Sequence, residues 1–156
     1  MYSQAVSCAY AEQDYDTAIE DGLKAVEGYE KTGESSADVC YWVGMSYLAK
    51  KEYKDAAKYY KKAEKQDASI KDISYYRGIC AMAQEQDEKA IGFFTKSIEK
   101  EESVTPSRYD RAICYIRLDR FEEGIADLEQ VKEQKDDKDL AKQAEELLTQ
   151  IQNAQQ

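Results

Sequence analysis

The segment Lys51-Glu52-Tyr53-Lys54-Asp55-Ala56-Ala57-Lys58-Tyr59-Tyr60 is written again, with changes, as Gln86-Asp87-Glu88-Lys89-Ala90-Ile91-Gly92-Phe93-Phe94. A third copy is Asp119-Arg120-Phe121-Glu122-Glu123-Gly124-Ile125-Ala126-Asp127-Leu128, and an earlier one is Gln13-Asp14-Tyr15-Asp16-Thr17-Ala18-Ile19. Ala56, Ala90 and Gly124 fall 34 residues apart, whereas Ala18 precedes Ala56 by 38. The four extra residues fit most simply in the turn at 31–36.

Working outward, the residues upstream of each copy repeat too. Gly44, Gly78 and Ala112 form a column of small residues at the same spacing, and Tyr41, Tyr75 and Tyr109 form a second. A 34-residue period made of two short helices marks a helical repeat array. One such pair cannot bury its apolar face alone, so the pairs fold as a stack. Small residues at Gly44, Gly78 and Ala112, and at Ala18, Ala56, Ala90 and Gly124, let packed backbones approach closely. Tyr60 and Phe94 fill the space between. Apolar periodicity and caps predict helices near 2–12, 15–31, 37–50, 53–66, 71–84, 87–100, 106–118 and 121–134. Pro106 is expected in the first turn of its helix, with Thr105 as N-cap.

The pattern resembles the tetratricopeptide repeat family over roughly residues 1–138. Its W-x2-L-G-x2-Y…A-x3-F motif reads here as Cys40-x2-Val43-Gly44-x2-Tyr47 with Ala56-x3-Tyr60. The next copies are Ser74-x2-Arg77-Gly78-x2-Ala81 with Ala90-x3-Phe94, and Arg108-x2-Arg111-Ala112-x2-Tyr115 with Gly124-x3-Leu128. No unit keeps the family's tryptophan or its later proline, Arg77 and Arg111 stand in a leucine column, and Asp87 interrupts the aromatic column of Tyr15, Tyr53 and Phe121. The resemblance implies an all-α, right-handed solenoid of about four helix-turn-helix units, approximately 1–36, 37–70, 71–104 and 105–138, forming a single domain over 1–156. The apolar stripe Leu140, Ala144, Leu147, Leu148 and Ile151 predicts a further helix at 139–153, read as a cap or as a partner-seeking or self-docking helix.

In this family the first helix of each pair lines a concave groove that takes a peptide or a helix. The resemblance therefore implies a groove of Tyr41, Tyr75 and Tyr109, then Met45, Ile79 and Ile113, then Leu48, Met82 and Ile116, with Trp42 and Tyr76 beside the tyrosines. Tyr41, Met45 and Leu48 sit at i, i+4 and i+7, one helix face. The same helices are apolar on another face through Val43 and Tyr47, which implies burial on both sides. Mixed aromatic, methionine and aliphatic walls suit an amphipathic helix. Arg117, beside Arg108 and Arg120, is placed to meet an acidic group at the rim. The lysine/asparagine/arginine clamp of chaperone-tail-binding relatives is replaced by Tyr41, Met45, Tyr76, Pro106 and Asp110, so binding of that type is not expected. The alternative expectation is a self-associating structural protein whose groove is filled by its own C-terminal helix or by a second copy, as in a homodimer.

Composition narrows the chemistry. The net charge of −10 repels nucleic-acid backbones and anionic membranes, so neither is an expected partner. There is no histidine, which removes the usual neutral-pH acid/base and the commonest metal ligand. The sequence shows no nucleophile–base pair, phosphate loop or C-x-x-C, so an enzyme, a cofactor and a bound metal are not expected. Cys8, Cys80 and Cys114 share one column and are expected as small, buried, reduced thiols. With no signal peptide or membrane-spanning run, a cytoplasmic location is expected if residue 1 is the natural start. The alternative is a soluble extracytoplasmic part of an anchored or secreted protein.

Overall fold

In the computed structural model, which describes residues 2–156, the chain is all-helical, an α-solenoid. Four antiparallel pairs follow one another: α1 (Tyr2–Ala11) with α2 (Tyr15–Thr32), α3 (Ala37–Ala49) with α4 (Tyr53–Gln66), α5 (Ile73–Ala83) with α6 (Asp87–Glu99), and α7 (Val104–Arg117) with α8 (Phe121–Lys132). A ninth helix, α9 (Lys138–Ala154), follows. The described residues contain no strand.

The turn inside each pair is built the same way. Gln13, Lys51, Glu85 and Asp119 each adopt a left-handed conformation, with φ between 57° and 62°. The next amide then donates back to the preceding helix: Asp14 to Ala9, Glu52 to Tyr47, Gln86 to Ala81 and Arg120 to Tyr115, each at 2.9 Å. These bonds satisfy carbonyls that the helix end would leave orphaned. Gly33, at φ 75°, closes the longer α2 in the same manner. α7 begins at Val104, two residues before the expected start. Pro106 still fits, because the first-turn amides have no intrahelical acceptor to lose.

Size complementarity holds each pair together. A Cβ on Gly44 would lie 2.9 Å from the Tyr60 ring, and one on Gly78 would lie 2.5 Å from the Phe94 ring. In the last pair the same two columns hold Ala112 and Leu128, both fully buried. In the first pair the sizes are exchanged: Val6 stands in the glycine column and Gly22 in the aromatic one. A Cβ on Gly22 would lie 3.6 Å from Val6 and would overlap Val43 of the next pair.

The departures from the repeat pattern are ion pairs. Arg111 donates twice to the buried Asp127, Nε to Oδ2 and Nη2 to Oδ1, both at 2.7 Å. Arg77 pairs with Glu64 and stacks 4.3 Å from the Phe93 ring centre. Burial alone would raise the Glu64 carboxyl, but hydrogen bonds from Lys96 and Arg77 and their charges hold it below the ordinary value. Asp87 accepts from Arg117 of the following pair at 3.2 Å.

α1 packs on α3, α5 on α7 and α7 on α9, while α3 and α5 meet through the Tyr41 and Tyr76 rings at 6.3 Å. Second helices are instead linked by side-chain ion pairs, Lys62 to Glu30 and Lys96 to Glu64, without close backbone packing among the described residues. The first-helix side is therefore the inner side of the curve. α9 packs on α8 and α7, its Ala144, Leu148 and Ile151 against Ala112, Leu128 and Val131. It covers the end of the stack, as the capping reading expects, and shares a cluster with Tyr109 and Ile116 of the expected groove; it does not pack closely on α1, α3 or α5 among the described residues. Its stripe is spent on the α7–α8 pair.

Candidate groove

The inner face is dominated by a continuous line of aromatic rings. Tyr10 of α1 lies 5.4 Å from Trp42 of α3, Trp42 lies 5.3 Å from Tyr41, and Tyr41 lies 6.3 Å from Tyr76 of α5. Tyr76 is 5.5 Å from Tyr75, which reaches Phe94 at 6.0 Å. Tilted and edge-on geometries prevail, the arrangement that aromatic quadrupoles favour. Tyr76 also stacks on the buried Tyr60 at 5.7 Å. The line is thus anchored in the core and crosses three first helices.

The residues expected in the groove occupy an intermediate position. Tyr41, Trp42, Met45, Leu48, Tyr75, Tyr76, Ile79, Met82, Tyr109, Ile113 and Ile116 are all half-buried. Tyr41, Trp42, Met45, Leu48 and Tyr76 pack on the core of the first two pairs; Tyr75, Ile79 and Met82 pack around Phe94 and Cys114; Tyr109 and Ile116 pack in the cluster that α9 closes with Ala144, Leu148 and Ile151. Each one spends part of its surface on the solenoid and keeps part for solvent. Met45 is further fixed by the Tyr60 hydroxyl, which donates to its Sδ at 3.0 Å. Arg117 is exposed, but its guanidinium already donates to Asp87 and to the Met82 carbonyl.

Two features of this face were not among the expected groove residues. Tyr10 extends the aromatic line onto α1, and its position, 38 residues before Leu48, places it in the Leu48 column once the four-residue insertion is allowed for. Asp110 of α7 sits beside the tyrosines of α5 and α7, where the Tyr75 hydroxyl donates to its Oδ2 at 3.3 Å. Burial pushes the Asp110 carboxyl up to about 6, against the lowering effect of that hydrogen bond. Burial, then the charge of Asp110, raises the Tyr75 hydroxyl. Repetition finds columns, and Asp110 stands in the column of Trp42 and Tyr76, so its departure in charge is the signal.

The expected thiol column divides. Cys80 and Cys114 are fully buried, and burial raises both thiols to about 12. Cys8 is exposed, because no described helix packs on its side of α1. No group of three or more His, Cys, Asp or Glu among the described residues is disposed to hold a metal ion. No helix of the described residues is long and apolar enough to cross a membrane.

Residues 43–103 match the tetratricopeptide repeat family. Among solved structures, the chain is similar to YrrB, described as a TPR protein with an unusual peptide-binding site, at 23% identity and a TM-score of 0.76, covering 86% of this chain and 67% of that one. It is also similar to MamA, at 17% identity and a TM-score of 0.73 over 81% and 71% of the two chains. A MamA structure from AMB-1 aligns at 14% identity and a TM-score of 0.69, over 82% and 68%. No curated protein matches the sequence.

Proposed function

We propose that this chain, which carries tetratricopeptide repeats, is a non-enzymatic interaction scaffold that holds an amphipathic helix or apolar peptide against its inner face. The repeat family and the solenoid fold support a protein-interaction role. The observation that carries the finer reading is the half-exposed aromatic line from Tyr10 through Trp42, Tyr41 and Tyr76 to Tyr75. Solvated aromatic surface in contiguous array is costly and marks a site that a partner covers. Rigid rings with polar tips supply contact area at small entropic cost, as interface anchors do. Tyr41, Trp42, Met45, Leu48, Tyr75, Tyr76, Ile79, Met82, Tyr109, Ile113 and Ile116 form the proposed contact surface, with Arg117 at its rim.

Trp42 is the only tryptophan, so its emission reports on the groove. Titration with amphipathic helical peptides should shift Trp42 emission saturably, and Ile79→Lys with Met82→Lys should abolish the shift while helical content is kept. An unchanged response in that variant would move the site elsewhere. Sedimentation over a concentration range tests the second-copy alternative: a concentration-independent monomer excludes it.

A further inference from the structure

A second groove lies on the outer side of the array, between α4 and α6, which are bridged by the Lys96–Glu64 ion pair and not closely packed. It encloses about 280 Å³ between the two helices, over a floor from α5. Lys54, Lys58 and Lys61 of α4 and Lys89 of α6 line it, with Arg77 of α5 and Phe93 beneath. Lys54, Lys58 and Lys61 are spaced i, i+4 and i+7, so all three project from one helix face. Among the described residues no carboxylate lines the groove. Arg77 is held by Glu64, but none of the four lysines takes part in an ion pair among the described residues.

The neighbouring repeats do not carry lysine at these four positions. The positions of Lys54, Lys58, Lys61 and Lys89 read Asp16, Glu20, Leu23 and Asp55 one repeat earlier. One repeat later they read Glu88, Gly92, Thr95 and Glu123. Each of the other outer grooves therefore presents carboxylates and no lysine at these four places. On a chain of net charge −10, this cleft gathers four lysines without a carboxylate partner, Lys89 donating to the Gln86 side chain at 3.3 Å and Lys58 lying over the Tyr59 ring. Such a cleft concentrates anions despite the overall charge.

We propose that the α4–α6 groove binds an acidic polypeptide segment, rich in glutamate or aspartate, at a site separate from the inner aromatic face. The lysines are strung along two turns of α4, about 10 Å at 1.5 Å per residue, and do not converge on one point as a phosphate site requires. Ala57, Ala81 and Phe93 supply apolar wall between the charges, against which the methylene stems of glutamate side chains pack. Lysine stems bury along such a wall while their ammonium groups remain free to pair.

The test is fluorescence anisotropy with a labelled glutamate-rich peptide, on the full chain. Saturable binding is expected, weakening as salt is raised because exposed charge pairs are screened over about 10 Å at 0.1 M. Reversing Lys54, Lys58 and Lys89 together to glutamate should weaken it roughly tenfold or more, as opposing like charges across an interface do. A control with Lys71, Lys135 and Lys138 reversed carries the same net charge and should bind within about twofold of the parent, because those lysines lie outside the groove. A milder set, Lys54→Gln, Lys58→Gln and Lys89→Gln, gives the same ordering without introduced repulsion, and circular dichroism establishes that each variant is folded. The proposal is overturned by absence of saturable binding, by equal loss in groove and control variants, or by an oligonucleotide of equal charge binding as tightly as the peptide.

Discussion

Gly78 and Phe94 face each other across the α5–α6 pair at a separation that leaves no room for a methyl group between them. The ring fills the space a side chain on Gly78 would take, and it is fully buried. Gly78→Ala should therefore cost about 1–3 kcal/mol, the usual range for overpacking a filled core. Phe94→Leu should offset part of that loss, because Ala112 and Leu128 already occupy the same two columns in the last pair. A urea-denaturation double-mutant cycle checks this: the two changes together should cost less than their sum.

Arg111 and Asp127 form a nearly buried two-bond pair. Either Arg111→Met or Asp127→Leu alone strands the other charge and should destabilise by about 3–5 kcal/mol. Making both changes should restore most of the loss, since a buried ion pair is often replaceable by apolar residues of similar volume. Equal destabilisation in the double variant would mean that the pair is a net source of stability.

Asp110 makes stability depend on pH in an unusual direction. Its carboxyl is raised in the folded chain to about 6 by burial, so the folded state binds the proton more tightly than the unfolded one. As pH falls from 7 through 6 toward 4, this group's contribution becomes more favourable to folding; it is unfavourable above that window. Asp110→Asn should raise the melting temperature at pH 7.5, by on the order of 1–3 kcal/mol in stability. The advantage should vanish near pH 4. Thermal melts across the range decide it, and a gain that persists at pH 4 would assign the effect to something other than titration.

Thiol reactivity should be singular. Of the four cysteines, only Cys8 is exposed; Cys40, Cys80 and Cys114 are buried. Burial raises each of those three thiols, slowing formation of the reactive thiolate. A thiol-reactive chromophore should release one equivalent quickly from the native protein and three more on unfolding. Cys8→Ser should remove the fast equivalent.

The helices were legible because column spacing carries both their number and their phase. Ala56, Ala90 and Gly124 located the second helices, and the tyrosine column falls on the first helices, where each ring is half-buried. The expected ends at 53–66 coincide with those of α4, and the start at 87 with that of α6. What escaped was what depends on neighbours. Gly22 reads as a weak helix residue until Val6 and Val43 are seen around it. Arg77, Arg111 and Asp87 read as defects in the pattern until Glu64, Asp127 and Arg117 are found opposite them. Cys8 shares its column with Cys80 and Cys114, yet a column says nothing about whether a neighbour covers it. Tyr10 was hidden by the insertion that shifts the first pair out of the 34-residue register.

The exchanged sizes in the first pair bear on how the chain can vary. Repeat arrays are commonly thought of as interchangeable tiles, copied and recombined at will. Here the Val6–Gly22 pair presents a notch to Val43, whereas Gly44 with Tyr60 and Gly78 with Phe94 present a ring. A second unit moved into first place, or the reverse, would set bulk against bulk at one seam and leave a void at the other. The order of the units is written into their packing, and any duplication or loss of a repeat at the first seam must be accompanied by matching substitutions on both sides of it.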